Sequence, residues 1–121
     1  MPAYNFKSQF VPLVESGVKK QTIRPTRKHP TRPGKTLQLY TGMRTKKCRL
    51  LRTETCTHVK PVQIYATCIV IDGKILSQGE AWQLAEADGF KTLADFYDFF
   101  RDTYGLSETR PITNMELIQW D

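Results

Sequence analysis

The chain is 121 residues long, 40% apolar and 25% charged, with eighteen Lys or Arg against twelve Asp or Glu and a formal net charge of +6. That length predicts one domain, residues 1–121, with a single hydrophobic core, and no apolar run approaches the ~18 residues that a membrane-spanning helix needs. Three cysteines at spacings of eight and twelve fit neither a metal half-site nor a disulfide framework, so reduced thiols, a cytoplasmic setting and no metal or other cofactor are expected.

In chain order, Phe6, Phe10, Val11, Leu13 and Val14 recur at spacings near three and four, which predicts a short helix within residues 4–16 that stops at Gly17. The stretch Gly17–Arg24, reading Gly-Val-Lys-Lys-Gln-Thr-Ile-Arg, should leave that helix and become extended at Gln21–Arg24, because Pro25 disfavours the helical region for the residue before it. Residues 25–34 hold three prolines and a glycine with no large apolar side chain, and read as a loop. Leu37 and Leu39 alternate with polar neighbours in a strand over 36–40, and a second loop follows at 41–47. Two further strands are expected at Cys48–Cys56 and Val62–Ile71, and Asp72-Gly73 is a type I′ hairpin signal. Ala81, Trp82, Leu84 and Ala85 predict a short helix broken at Asp88-Gly89, and Leu93, Phe96, Tyr97, Phe100 and Tyr104 predict a longer one ending near Gly105, its aromatic stripe turned to the core. Glu116–Trp120 reads as a closing strand. The sum is an α+β domain of five or six short strands, closing more naturally as a small barrel than as a βαβ sheet.

Charge is polarised along the chain. Residues 16–53 hold twelve Lys or Arg and no acid, whereas residues 80–102 carry six acids against Lys91 and Arg101. A basic region of this kind calls for an anionic partner. Arg27, Lys28, Arg32 and Lys35 in the first loop, with Arg44, Lys46 and Lys47 in the second, would form an RNA-binding surface flanking a cleft, with Tyr40 available to stack on a base.

Four features in order resemble the ASCH family: Lys-x-x-Thr-Ile-Arg, Pro-Gly-x-x-Leu-x-Leu-Tyr-x-Gly, Ala-x-Asp-Gly-Phe before an aromatic helix, and a closing Leu-Ile-x-Trp. The resemblance runs from about Phe6 to Trp120. It implies a PUA-like β-barrel with helices at its ends, a cleft between the Gly17–Arg24 stretch and the acidic helical segment, and RNA or a modified nucleoside as ligand. One branch of the family, the bacterial N4-acetylcytidine amidohydrolases, uses a lysine, a threonine and a glutamate. Its motif places them here at Lys19 and Thr22, before Arg24, and at Asp88, where aspartate replaces the family's glutamate and is one methylene shorter. Other members look like ribonucleases or RNA-binding modules.

Amide hydrolysis without a metal requires a nucleophile, a proton shuttle and a group to hold the oxyanion. Thr22 would supply the hydroxyl. Lys19, its pKa lowered by neighbouring Lys20 and Arg24, would accept the proton; Asp88 would orient Lys19 or protonate the leaving amine, and Arg24 or Arg44 would meet the oxyanion or a phosphate. The chain must bend between positions 19 and 22 to bring them together. Each residue also has a plain structural reading: Lys19 and Lys20 as a solvated basic face, Thr22 as a β-branched strand residue, Arg24 as a helix cap or a partner of Asp88, and Asp88 as a turn former. Cys56 and His58 at i, i+2 are a weaker nucleophile–base pairing, without an orienting acid.

Overall fold

A computed structural model describes all 121 residues, Met1–Asp121, and shows an α+β fold with one mixed sheet and three α-helices. No helix is long and apolar enough to cross a membrane. The seven strands are β1 (Ala3–Phe6), β2 (Gln21–Pro25), β3 (Thr36–Thr41), β4 (Arg49–Ile64), β5 (Ile69–Ile71), β6 (Lys74–Ile75) and β7 (Ile112–Trp120). The helices are α1 (Val11–Glu15), α2 (Gln78–Ala87) and α3 (Leu93–Tyr104).

The long strand β4 organises the sheet. Its first half pairs antiparallel with β3, and its second half lies between β7 and the β5–β6 hairpin. The change of partner comes at a bulge: Cys56 faces Trp120 and His58 faces Gln119, leaving Thr57 as the extra residue that bends the strand. β1 then adds to β3 in parallel, and β2 adds antiparallel to β7. The strand expectations thus need two corrections. Residues 4–6 are a strand rather than the start of a helix, and the two strands expected over 48–71 are one sixteen-residue strand followed by a short one.

The sheet is open, where a closed barrel was expected. No ladder joins β1 to β2. Side chains span the gap instead: Arg24 Nη2 donates to the Asn5 carbonyl at 2.6 Å, and Arg27 Nη2 donates to the Ala3 carbonyl. Both guanidinium groups also lie over the rings of β1, Arg27 4.1 Å from the Tyr4 centroid and Arg24 4.9 Å from that of Phe6. Pro25, which has no N–H, ends β2 at this edge.

The local signals that the sequence carries are realised. Asp72 and Gly73 both have positive φ, 56° and 77°, as a type I′ turn requires. Ser77 and Glu80 form a reciprocal capping box on α2, Thr92 caps α3, and α3 stops at Gly105 with φ 78°. Phe96 and Phe100 are buried, and Phe90 links Phe96 to Phe10 and Phe99 through edge-on or tilted rings 5.4–5.5 Å apart. This cluster locks the helices over the first segment of the chain, and so fixes the end of α2 against the stretch that follows α1.

Candidate functional site

Gly17 ends α1 with φ 79°, and the next turn is tied back by Val18 and Lys19 N–H groups that both donate to the Leu13 carbonyl. The chain therefore turns over Gly17–Lys20, just before β2, so that much of the bend precedes Lys19. It drives Lys19 inward while Lys20 points out. From Gln21 the chain is extended, so Thr22 and Arg24 share one face, and Arg24 Nε donates to Thr22 Oγ1 at 2.8 Å.

Asp88 is the C-cap of α2. Gly89 follows with φ 98°, and a Cβ there would lie 3.0 Å from Phe10 Cδ1 and 3.2 Å from Leu13 Cδ1. The glycine serves both the left-handed turn and the close packing that presses Asp88 onto Lys19. Gly89→Ala should therefore destabilise the fold by at least about 1–2 kcal/mol, the typical penalty of the left-handed conformation alone, measured by urea unfolding.

Lys19 and Asp88 are 3% and 4% exposed and form an ion pair, with Nζ 3.1 Å from Oδ1. Nζ also donates to the Asp88 carbonyl, and Gln21 Nε2 donates to Oδ1 at 3.4 Å. The ammonium lies 4.8 Å from the Phe10 ring centroid. Burial pulls the Lys19 pKa down and pushes that of Asp88 up, each opposed by the partner's charge. The cause of the Lys19 shift differs from the expected one: desolvation leads, Arg24 is the smallest contributor and Lys20 has no part.

Lys19, Thr22, Arg24 and Asp88 open together into a cavity of about 220 Å³ walled by aromatic rings, among them Phe6, Phe99 and Tyr104. Thr22 Oγ1 accepts from Arg24 and donates to no protein atom, and Asp88 Oδ2 has no protein donor. Arg24 is neither a helix cap nor hydrogen-bonded to Asp88, since its fork is shared between Thr22 and Asn5. Beside the cavity, and sharing Lys19 and Phe99 with it, runs an open groove of about 1020 Å³ edged by Trp82, Glu86, Asp95, Asp98 and Asp102.

The remaining basic residues do not gather here. Lys28, Arg32 and Lys35 are exposed on the loop before β3, and Arg44, Lys46 and Lys47 on the loop after it, so the six-residue strand holds the two groups about 20 Å apart. None of these six lines either recess, nor does half-buried Tyr40. Arg27 is engaged at the β1–β2 gap, and Lys20 borders a shallow depression with His58 and Gln119. The acidic segment, not the basic one, edges the groove beside the cavity.

Several residues of the cavity wall carry no sequence signal, Asn5, Lys7 and Thr103 among them. Phe99 fell outside the stripe assigned to the core, and Tyr104 was placed inside it; the half-buried Tyr104 lines the cavity. The burial of Glu116 had no sequence signal either. It faces Arg24 across the β2–β7 ladder, its Oε1 lacks a partner, and burial raises its carboxyl pKa. Cys56 and His58 make no catalytic pair. The thiol is buried, its pKa raised, and its contact is to the His58 carbonyl, while the imidazole is turned to Thr57.

No protein-family model, curated protein or solved structure matches this chain.

Proposed function

We propose that this chain is an ASCH-type hydrolase with a PUA-like, barrel-derived fold that binds an N4-acylated cytosine, in a modified nucleoside or in RNA, and cleaves its exocyclic amide without a metal. The observation that carries the reading is the buried Lys19–Asp88 pair opening, with the Thr22 hydroxyl, into one aromatic-walled cavity. Its volume of about 220 Å³ falls below the ~300–1,000 Å³ of pockets that enclose drug-sized ligands. It matches a single flat base, with the sugar left outside.

Lys19 first passes a proton to Asp88, which produces a neutral amine and a neutral carboxyl. The transfer is made easier by burial, which disfavours both charges. Thr22 Oγ attacks the acyl carbon as its proton moves to Lys19 Nζ, leaving a negative tetrahedral oxygen. The C–N bond then breaks, cytosine N4 takes the proton from Asp88, and the ammonium–carboxylate pair is restored beside an acyl-threonine ester. Water repeats the sequence on the ester and releases the carboxylic acid. The resting hydrogen bond from Arg24 to Thr22 steadies the hydroxyl without using its proton.

A phosphodiester reading fits less well, because none of the basic residues of the two loops flanking β3 lines the cavity. The test is to incubate the protein with N4-acetylcytidine and, separately, with single-stranded RNA, and to repeat with Lys19→Ala. Acetate release that disappears in the variant supports the proposal. Metal-independent RNA fragmentation would replace it with a ribonuclease, and turnover of neither would leave a binding module.

A further inference from the structure

Within the proposed hydrolase, one cavity group remains without a task. Tyr104 is the last residue of α3, and its ring is held by a near-parallel stack on Phe100, 5.5 Å between centroids and 24° between planes. Gly105, left-handed directly after it, closes the helix by donating to the Arg101 and Phe100 carbonyls, so the ring sits on a rigid terminus. Its hydroxyl makes no hydrogen bond to any protein group, yet the side chain lines the cavity that Lys19, Thr22, Arg24 and Asp88 open into. A phenol without a protein partner in such a place is free to donate to a bound group.

Arg24 cannot supply the oxyanion site unaided. Nε is given to Thr22 and Nη2 to Asn5, which leaves Nη1 as the nitrogen with no acceptor. Tyr104 lines the same cavity as that guanidinium and Thr22. Burial raises the phenol's pKa, and Arg24 pulls against that rise, so the hydroxyl holds its proton at neutral pH and can donate it in a hydrogen bond. The residues that line the cavity with Thr22 thus include one with a neutral O–H and one with a spare N–H, the two donor types that an oxyanion requires.

We infer that Tyr104 is a catalytic residue of this site, its hydroxyl donating with Arg24 Nη1 to the oxygen of the tetrahedral intermediate formed on Thr22. No proton is transferred from it; the bond strengthens as the carbonyl oxygen becomes an oxyanion and relaxes when the C–N bond breaks. The inference rests on the proposed amidohydrolase reading. It goes beyond the Lys-Thr-acid set by naming the group that receives the charge.

Tyr104→Phe isolates the hydroxyl, since the ring and its stack on Phe100 are retained. With N4-acetylcytidine as substrate, kcat should fall by about 10²–10³-fold, the usual loss for one oxyanion donor, while KM stays within about twofold and the urea midpoint is unchanged. An active natural chain whose Tyr104→Phe variant keeps its kcat would overturn this inference and leave the proposed function standing. A variant with raised KM and unchanged kcat would assign Tyr104 to ground-state binding and overturn it equally. A natural chain that releases no acetate would overturn the proposed function, and this inference with it.

Discussion

Lys19→Met should lower the unfolding free energy by about 3–5 kcal/mol, whereas Lys19→Met combined with Asp88→Leu should restore it, to between the natural value and about 1–4 kcal/mol above it. The single change leaves a carboxylate 4% exposed with only a 3.4 Å hydrogen bond from Gln21 and an aromatic wall around it. The double change removes both charges and the desolvation each carries. Urea unfolding of the three proteins measures this directly. A single variant as stable as the natural chain would mean that the pair is wetter than its burial indicates.

The pH dependence of the single variant has a definite sign. Asp88 has a pKa raised above its ordinary value of about 3.9, so the folded state binds the proton more tightly than the unfolded chain does. Stability is therefore present at acid pH and is lost as pH rises from that ordinary value through the raised one. Removing Lys19 takes away the charge that opposes the rise, so the deficit of Lys19→Met should be largest at neutral pH and shrink on acidification. Lys19 in the natural chain behaves in the complementary way. Its lowered pKa makes stability increase with pH between that value and about 10.4.

Thr22→Val should reduce acetate release from N4-acetylcytidine by about 10⁴–10⁶-fold, the scale seen when a nucleophile is removed from a cooperating set. Valine keeps the β-branching that suits β2 and nearly the same volume, so the strand should persist. Arg24 Nε loses its acceptor, which sets a structural penalty of about 1–3 kcal/mol. Thr22→Ser should retain readily measurable turnover, because the hydroxyl survives. Mass spectrometry during turnover of the natural chain should find one acetyl group on the Thr22 peptide. Full activity in Thr22→Val would transfer the nucleophile's role to a water activated by Lys19 and Asp88.

Features that depend on neighbouring residues were the readable ones. The Asp72-Gly73 turn, the end of α3 at Gly105 and the stop at Gly17 each need only a few residues in sequence. What depends on distant partners was not readable. Ala3–Phe6 is a strand because β3, some 35 positions later, pairs with it in parallel, and nothing in four residues announces that. The continuity of β4 was hidden by Pro61. That proline accepts from the Asp72 N–H at the end of the β4–β5 ladder, where its missing donor removes only an outermost rung.

The site divides in the same way. The Lys-x-x-Thr-Ile-Arg spacing pointed to Lys19 and Thr22, and the break before the aromatic helix pointed to Asp88. The depth of their burial was not readable, since it is imposed by Phe10 and by the contacts that Gly89 permits. Charge clustering in sequence misled about the cavity's surroundings because β3 separates the two basic loops, while α2 and α3 bring the acids to the groove beside it.

The gap between β1 and β2 joins the mechanics of the sheet to the proposed nucleophile. A ladder would have to be unzipped rung by rung, but this edge is fastened by two side chains that release by rotation. One of them, Arg24, also grips Thr22 Oγ1, so a rotation that frees Asn5 also releases the hydroxyl. Loosening of the sheet at that point and the orientation of the Thr22 hydroxyl are thus coupled through one side chain.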